Sequence, residues 1–300
     1  MSRFFVHRVR AAAMVAAAVL LGATLALSPR PACAAEPDAL SFVPKGTAVV
    51  ITIRPAALLS DDTLGPVLNG LLASVPMEKE VGITPQQISR ATVAFKVMEP
   101  EPVGLGVVET TEDVDWSAVL KRIAPTAEAT KFGDYTGAAD EQRKFYAAVI
   151  GPRMAIVGNS DVLLEDAIER SQAPGKSQEW LKPLLGNDAD VLIAAGFDHA
   201  PIAPLVENAL RTKGSPENVI AAAMFEPLWK DVKSTTAKFK FKPKLQLEIV
   251  ATCSSPEAAP EVKKTLDAVT VLSTNMARGY LDLAPRGRTP EEKLQRTAVK

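Results

Sequence analysis

Two stretches of the sequence, residues 48–123 and 190–280, show the same order of predicted elements. Each begins with a short apolar run typical of a buried strand and continues with a helical pattern, a second short helix, a hairpin and another helix. Corresponding positions lie about 142 to 144 residues apart, as for Val49 with Val191 and Phe95 with Phe239. The shared order and spacing predict an internal duplication of a β-α-β-β-α unit.

Local signals place the elements of the first copy. Residues 48–54 (AVVITIR) predict its first strand, and the helical spacing over residues 56–74 is expected to break or kink at Gly65-Pro66. Thr84, Pro85 and Gln87 form the pattern of a capped helix start. A hairpin is predicted over residues 91–97 and 103–109, followed by a helix over residues 116–123 with Asp115 as its N-cap.

The second copy has the corresponding signals. Residues 190–197 predict a strand, residues 202–210 have helical spacing, and Ser215-Pro216 and Ser255-Pro256 are helix starts. Residues 236–241 and 245–253 predict a hairpin. Between the copies, residues 131–171 form a β-rich segment with a hairpin over 145–150 and 153–157, followed by a helix capped from the Asn159-Ser160-Asp161 stretch.

These patterns predict an α+β protein with two related halves, each with a mainly antiparallel sheet and helices packed on one face. Residues 171–177 (SQAPGKS) have a linker composition. The predicted organisation is a signal peptide over residues 1–35, a first half over 36–175 that includes the β-rich insert, a second half over 176–284, and a polar tail over 285–300.

The first 35 residues have the three parts of a secretory signal. Arg3, Arg8 and Arg10 form a basic start, residues 11–27 are an apolar run, and the segment ends in small residues at Ala34 and Ala35. Cleavage after Ala34 or after Ala35 predicts an exported protein of the bacterial periplasm or the extracellular space. An uncleaved membrane anchor and lipid modification of Cys33 are the alternatives, and the small residues at the end favour cleavage.

Charge and cysteine content limit the classes of function. Without the four arginines of residues 1–35, 30 basic residues stand against 35 acidic ones, a formal net charge of −5. This balance argues against a dedicated nucleic-acid binder. Cys253 is the one cysteine that remains after cleavage, so the sequence predicts no intrachain disulfide.

Candidate catalytic and metal-binding residues are few. His199 beside Asp198 has the order of an oriented general base, but an N-cap Asp next to a surface His is the favoured interpretation. The pairs at residues 113 and 115 and at residues 188 and 190 lack the further oxygen ligands and the glycine turn of a calcium loop. The Gly104-Leu105-Gly106 stretch lies in a predicted strand and lacks the third glycine of a phosphate loop. We therefore assign no catalytic, cofactor or metal residues from the sequence.

A basic strip over residues 238–244 (KFKFKPK) is the least ordinary feature of the chain. Period-two alternation predicts the phenylalanines on the inner face and the lysines on the solvated face. The four residues that would contact an anionic envelope polymer are Lys238, Lys240, Lys242 and Lys244. A solvated sheet face whose lysines discourage edge pairing is the favoured alternative.

Three stretches resemble a group of bacterial exported proteins classed as a family of unknown function. They are FVPKGTAVVITIRPAALL, FYAAVIGPRMAIVGNSDVLLEDAIE and LQLEIVATCSSPEAAPEVKKTLDAV. The resemblance implies an exported α/β protein and brings no catalytic residues.

Three hypotheses of function follow. The first is a non-enzymatic binding or scaffold protein of the periplasm or cell envelope, whose partner is a protein or an envelope polymer. The second is a hydrolase with a carboxylate site between the halves, because carboxylate catalysis leaves no local motif. The third is an anionic-polymer binder that uses the basic strip. No cofactor and no nucleic acid are expected, and a membrane is expected only if the signal segment stays uncleaved.

Overall fold

The computed structural model describes residues 38–62, 64–72, 77–97, 101–172, 179–184, 191–204, 207–208, 226–240 and 246–283. The predicted signal segment with Ala34 and Ala35, most of the linker and the polar tail lie outside these residues. So do Lys242, Lys244 and the helix start at Ser215.

The described strands are β1 (Val49–Ile53), β2 (Ile88–Lys96), β3 (Val103–Thr110), β4 (Glu128–Phe132), β5 (Tyr135–Asp140), β6 (Phe145–Gly151), β7 (Met154–Gly158), β8 (Val191–Asp198), β9 (Val232–Lys240) and β10 (Gln246–Cys253). The α-helices are α1 (Pro55–Leu59), α2 (Gly65–Leu72), α3 (Met77–Glu80), α4 (Trp116–Ile123), α5 (Asp161–Ser171) and α6 (Ala259–Leu283). Three 3₁₀ turns accompany them: η1 (Ala39–Phe42), η2 (Pro85–Gln87) and η3 (Glu179–Leu184).

The strands form one sheet in the order β10-β9-β8-β1-β2-β3-β7-β6-β5-β4. The sheet is antiparallel, with β1 paired to β2 on one side and to β8 on the other. This arrangement confirms the predicted α+β class and the mainly antiparallel pairing. The β-rich segment between the copies supplies β4 to β7, which continue the sheet beyond β3.

The strands of the two predicted copies meet at the β1–β8 pair. Val49 lies opposite Phe197 and Ile51 lies opposite Ala195. From this pair, β2 and β3 extend the sheet in one direction, and β9 and β10 extend it in the other. The internal duplication stays a prediction, and the mirrored strand order agrees with it.

Around the first helices the structure follows the predicted helix break and capping pattern, with one difference in helix length. The predicted break at Gly65 separates α1 from α2, and Asp61 Oδ1 accepts the Leu64 N–H at 3.0 Å. At the predicted capped helix start, the Thr84 N–H donates to Gln87 Oε1 at 2.8 Å. Only a three-residue 3₁₀ turn follows, because strand β2 begins at Ile88.

Helices cover both faces of the sheet, which differs from the expected single face. On one face, Trp116, Val119 and Leu120 of α4 pack with Val108 and Val157. On the other face, Leu164 and Ile168 of α5 pack with Met154, Ile156 and Phe42. The reason lies in β7, where four successive residues are buried, so that both of its faces need cover.

A third cluster lies under the β1–β8 pair. Leu40 and Val43 near η1 and Leu181 of η3 pack against Val50 and Ala194. Gly196 follows on the same strand face, and a Cβ atom there would lie 2.7 Å from Leu184 Cδ1 and 2.8 Å from Trp180 Cζ3. The 3₁₀ turn η3 therefore lies directly on strand β8.

The chain divides into two compact units. The first comprises the described residues within 1–202 and 234–250, which hold most of the sheet and the three clusters. The second comprises those within 203–233 and 251–300, which include α6. In the second unit the Ser254 N–H donates to the Asp231 carbonyl at 2.7 Å, and Val262 is buried. No helix in the described part of the chain is long and apolar enough to cross a membrane.

Candidate functional site

The β9–β10 end of the sheet carries the residues that the sequence singled out. Strand β9 pairs with β8, with Ala194 opposite Lys238 and Gly196 opposite Thr236. Residues directly opposite each other on paired strands present their side chains to the same face. Thr236 and Lys238 therefore share the face of Gly196, on which η3 lies.

The burial of β9 differs from the predicted pattern. Ser234 and Thr236 are buried, and Lys238 on the same face is half-buried. Phe239 lies on the opposite face and is also half-buried. The expectation of solvated lysines opposite inward phenylalanines is therefore wrong at Lys238, because the small hydroxyl side chains before it fit the face covered by η3.

The described half of the basic strip consists of Lys238 and Lys240, and both are half-buried. A bulge on β8 lies between the two positions, since the register shifts between Val191, opposite Lys240, and Ile193, opposite Phe239. Anionic polymers are bound by exposed, clustered cations. Lys242 and Lys244 lie outside the described residues, and anionic-polymer binding by the four lysines stays a prediction.

Strand β10 ends the sheet and exposes apolar side chains. Leu247, Ile249 and Val250 are 52%, 49% and 43% exposed. Gln246 and Glu248 beside them are exposed as well. An edge strand of this kind presents unpaired backbone groups together with apolar side chains, the features by which proteins add a strand from a partner. We take β10 as the candidate site of interaction.

The carboxylates considered in the sequence serve local structure. Asp113 Oδ1 accepts from Arg153 Nε at 2.8 Å, and Asp115 Oδ1 accepts the Ala118 N–H at 3.1 Å as the N-cap of α4. The Asp188–Asp190 pair lies outside the described residues. Since Asp113 and Asp115 have these separate partners, the structure does not bring them together as a pair of ligands for a divalent cation.

His199 lies at the end of β8. Its Nε2 is 3.0 Å from the Thr235 hydroxyl, and Asp198 Oδ1 accepts the Ala200 N–H at 3.1 Å. The carboxylate therefore caps the turn that follows β8, and the imidazole lies within hydrogen-bond distance of a hydroxyl on the neighbouring strand β9. The favoured sequence interpretation was an N-cap Asp beside a surface His; the structure shows Asp198 capping a turn and His199 half-buried.

Two ionisable groups near the other end of the sheet have shifted pKa values. The Thr126 hydroxyl donates to Asp140 Oδ2 at 2.6 Å and lowers the pKa of Asp140, assisted by the Arg143 N–H at 3.1 Å. The Tyr146 hydroxyl donates to Glu141 Oε2 at 2.9 Å, which with burial raises the pKa of Tyr146 to about 12. Both shifts are explained by structural hydrogen bonds, and neither residue has a local sequence signal that predicts its shift.

A surface depression lies beside α4, lined by Lys79, Glu80, Val81, Arg122 and Ile123. The Arg122 guanidinium donates to the Glu78 carbonyl at 3.3 Å. It also lies over Gly82, where the φ of +91° favours glycine and a Cβ atom would lie 2.9 Å from Arg122 Nη1. Arg122 therefore holds the end of α3 in place.

In the described residues no group of three or more His, Cys, Asp or Glu side chains is placed to hold a metal ion. Cys253 at the end of β10 is half-buried and has a free thiol. The predicted cleavage residues Ala34 and Ala35 lie outside the described part, so the structure does not test them.

Comparisons with known proteins place the chain in no family. No protein-family model matches the sequence, and no curated protein is significantly similar to it. Among solved structures, crystal form III of TP0453 is 8% identical with a TM-score of 0.45, covering 71% of this chain and 79% of that one. Crystal form I is 8% identical with a TM-score of 0.45, covering 79% and 88%. Crystal form IV is 9% identical with a TM-score of 0.46, covering 71% and 79%.

Proposed function

We propose that this chain is an exported protein of the periplasm or cell envelope that binds a partner, or serves as a scaffold, through the edge strand β10. The observation that carries the proposal is the exposure of Leu247, Ile249 and Val250 on a strand that ends the described sheet. The three-part pattern of residues 1–35 supports export.

The chemistry of β10 favours recognition of an extended chain. Its outer edge offers backbone N–H and C=O groups, and its side chains are apolar or uncharged except for Glu248. Backbone hydrogen bonds supply affinity in strand addition, and alternate side chains supply specificity. An exposed apolar patch on a folded protein marks an interaction site.

The test is capture from envelope extract by the immobilised protein. The wild type is compared with the double variant Leu247→Lys/Ile249→Lys, which places charges on the edge. The matched control is Thr130→Lys, a charge on β4 at the opposite edge. We expect the wild type and Thr130→Lys to retain the same partner and the double variant to lose it. Retention of nothing by the wild type, or equal retention by all three proteins, would contradict the proposal.

A further inference from the structure

The two edges of the described sheet differ in how they are protected. Strand β4 at one edge has five residues, and two of them are the charged Glu128 and Lys131. Strand β10 at the other edge has eight residues, with Glu248 as its one charged side chain and no proline or glycine. Short length, lysine and proline are the devices that keep sheet edges from pairing with other chains. Strand β10 has none of these three, so its own sequence presents no barrier to pairing.

We propose that β10 pairs with β10 of a second copy of this chain, antiparallel, about a two-fold axis at Ile249–Val250. The inference rests on the proposed function, since it names the partner that the edge receives. Such a pair joins the two sheets into one continuous antiparallel sheet. It repeats the pairing already seen along the sheet, for example between β1 and β8.

The charge distribution of β10 suits pairing with itself. With the axis at Ile249, Glu248 lies opposite Val250 and Leu247 lies opposite Ala251. With the axis at Val250, Glu248 lies opposite Thr252 and Ile249 lies opposite Ala251. Both registers keep the two Glu248 carboxylates apart and place apolar side chains opposite one another, and cross-strand pairs of this kind stabilise a sheet. Only an axis at Glu248 itself would set like charges face to face.

A second copy fits this edge better than a charged partner does. With one carboxylate in eight residues, β10 offers little to attract a strongly basic or acidic segment. In a two-fold pair the same surface of both copies forms the interface, so the exposed apolar residues of one β10 lie beside those of the other β10. The exposed side chains Leu247, Ile249 and Val250 lose water on both copies at once.

Sedimentation of the purified protein, expressed from its full sequence, tests the association. We expect the wild type and the β4 control Thr130→Lys to form a dimer. The variant Leu247→Lys/Ile249→Lys should dissociate with a Kd raised roughly tenfold or more, because it replaces apolar cross-strand pairs by charged side chains on both strands and, with the axis at Ile249, sets two lysines directly opposite each other. A monomeric wild type, or a variant that dimerises as tightly as the wild type, would overturn the inference.

Cross-linking tests the register. In a Cys253→Ser background, Ile249→Cys or Val250→Cys places a thiol next to the proposed axis, whereas Thr130→Cys places one on β4. Mild oxidation is expected to link two chains rapidly at position 249 or 250 and not at position 130. Equal linkage at all three positions indicates random collision and refutes the pairing, even if the protein is a dimer.

The association and the proposed function fail separately. Sedimentation and cross-linking use the pure protein, whereas capture uses envelope extract. A dimer that retains no other envelope component leaves the self-pairing established and removes the proposed binding of a different envelope partner. A monomer that captures an envelope component through β10 supports the proposed function and refutes the self-pairing, because another chain then occupies the edge.

Discussion

At the scale of single residues, Asp140 shows how the sheet holds a buried charge. The Thr126 hydroxyl and the Arg143 N–H both donate to its carboxylate, so its folded-state pKa lies below the usual value. A group with a lowered folded pKa stabilises the protein above its unfolded pKa, and this contribution is lost as the pH falls through the folded value. Asp140 therefore contributes to stability at neutral pH.

We expect the substitution Thr126→Val to weaken the acid dependence of stability. Loss of the hydroxyl brings the folded pKa of Asp140 nearer to its unfolded value of about 3.9. The free energy of unfolding, measured in urea from about pH 6 down to about pH 2, should then change less with pH than in the wild type. Thr126→Ser keeps a donor and should behave as the wild type, and an unchanged slope in Thr126→Val would refute the role of this hydrogen bond.

Gly137 occupies a position where a side chain has no room. A Cβ atom there would lie 2.0 Å from the Ala147 carbonyl oxygen, which is backbone of the neighbouring strand β6. We expect Gly137→Ala to destabilise the protein by about 1–3 kcal/mol, as overpacking does. Gly70 in α2 has nothing within 4 Å of such an atom, so Gly70→Ala serves as the control and should be neutral or slightly stabilising. Thermal unfolding of the two variants decides, and equal effects would contradict the prediction.

At the scale of elements, the start of α4 depends on one side chain. Asp115 accepts the Ala118 N–H, and Trp116 after it donates its indole N–H to the Pro152 carbonyl at 3.0 Å. We expect Asp115→Ala to cost about 1 kcal/mol, since the helix loses its N-cap, whereas Asp115→Asn keeps an acceptor and should cost less. Urea unfolding followed by tryptophan fluorescence measures both, and an Ala variant as stable as the Asn variant would count against the cap.

Elements with strong local signals are those that the sequence predicted. The β-branched run of β1, the hairpin of β6 and β7 and the capped helices α4 and α5 appear near their predicted bounds. Strand β5 was predicted only as part of the β-rich segment over residues 131–171, and most of β4 lies before that segment, because EATKF and YTGAAD contain few large apolar residues. Pairing of β5 with β6 and of β4 with β5, rather than their own composition, makes them strands.

The candidate site was predicted only in part, for a physical reason. The sequence predicted β10 as a strand, but its composition does not show that Leu247, Ile249 and Val250 are exposed. Its exposure depends on its place at the end of the sheet order, which is set by pairing between residues far apart in the chain. The face of Lys238 was predicted wrongly for the same reason, since η3 lies on that face and comes from a distant segment.

At the scale of the whole molecule, the predicted export implies that the mature protein begins at a new N-terminal residue. N-terminal sequencing of the protein recovered from a host periplasm is expected to begin at Ala35 or Glu36. In a chain that starts at Ala35, the variant Ala34→Lys removes the small residue before the cut and should move the start to Glu36. Recovery of a chain that still carries the arginines at positions 3, 8 and 10 would show that the segment is retained.

The position of β1 inside the sheet has a consequence for the order in which its strand pairs can form. β1 pairs with β8, and about 140 residues separate these neighbours in the chain. At a synthesis rate of roughly 5–20 residues per second, β8 leaves the ribosome on the order of ten seconds after β1. Throughout that interval one edge of β1 has no partner strand. The pair of β1 with β2 can therefore form early, and the pairs that involve β8, β9 and β10 can form only afterwards.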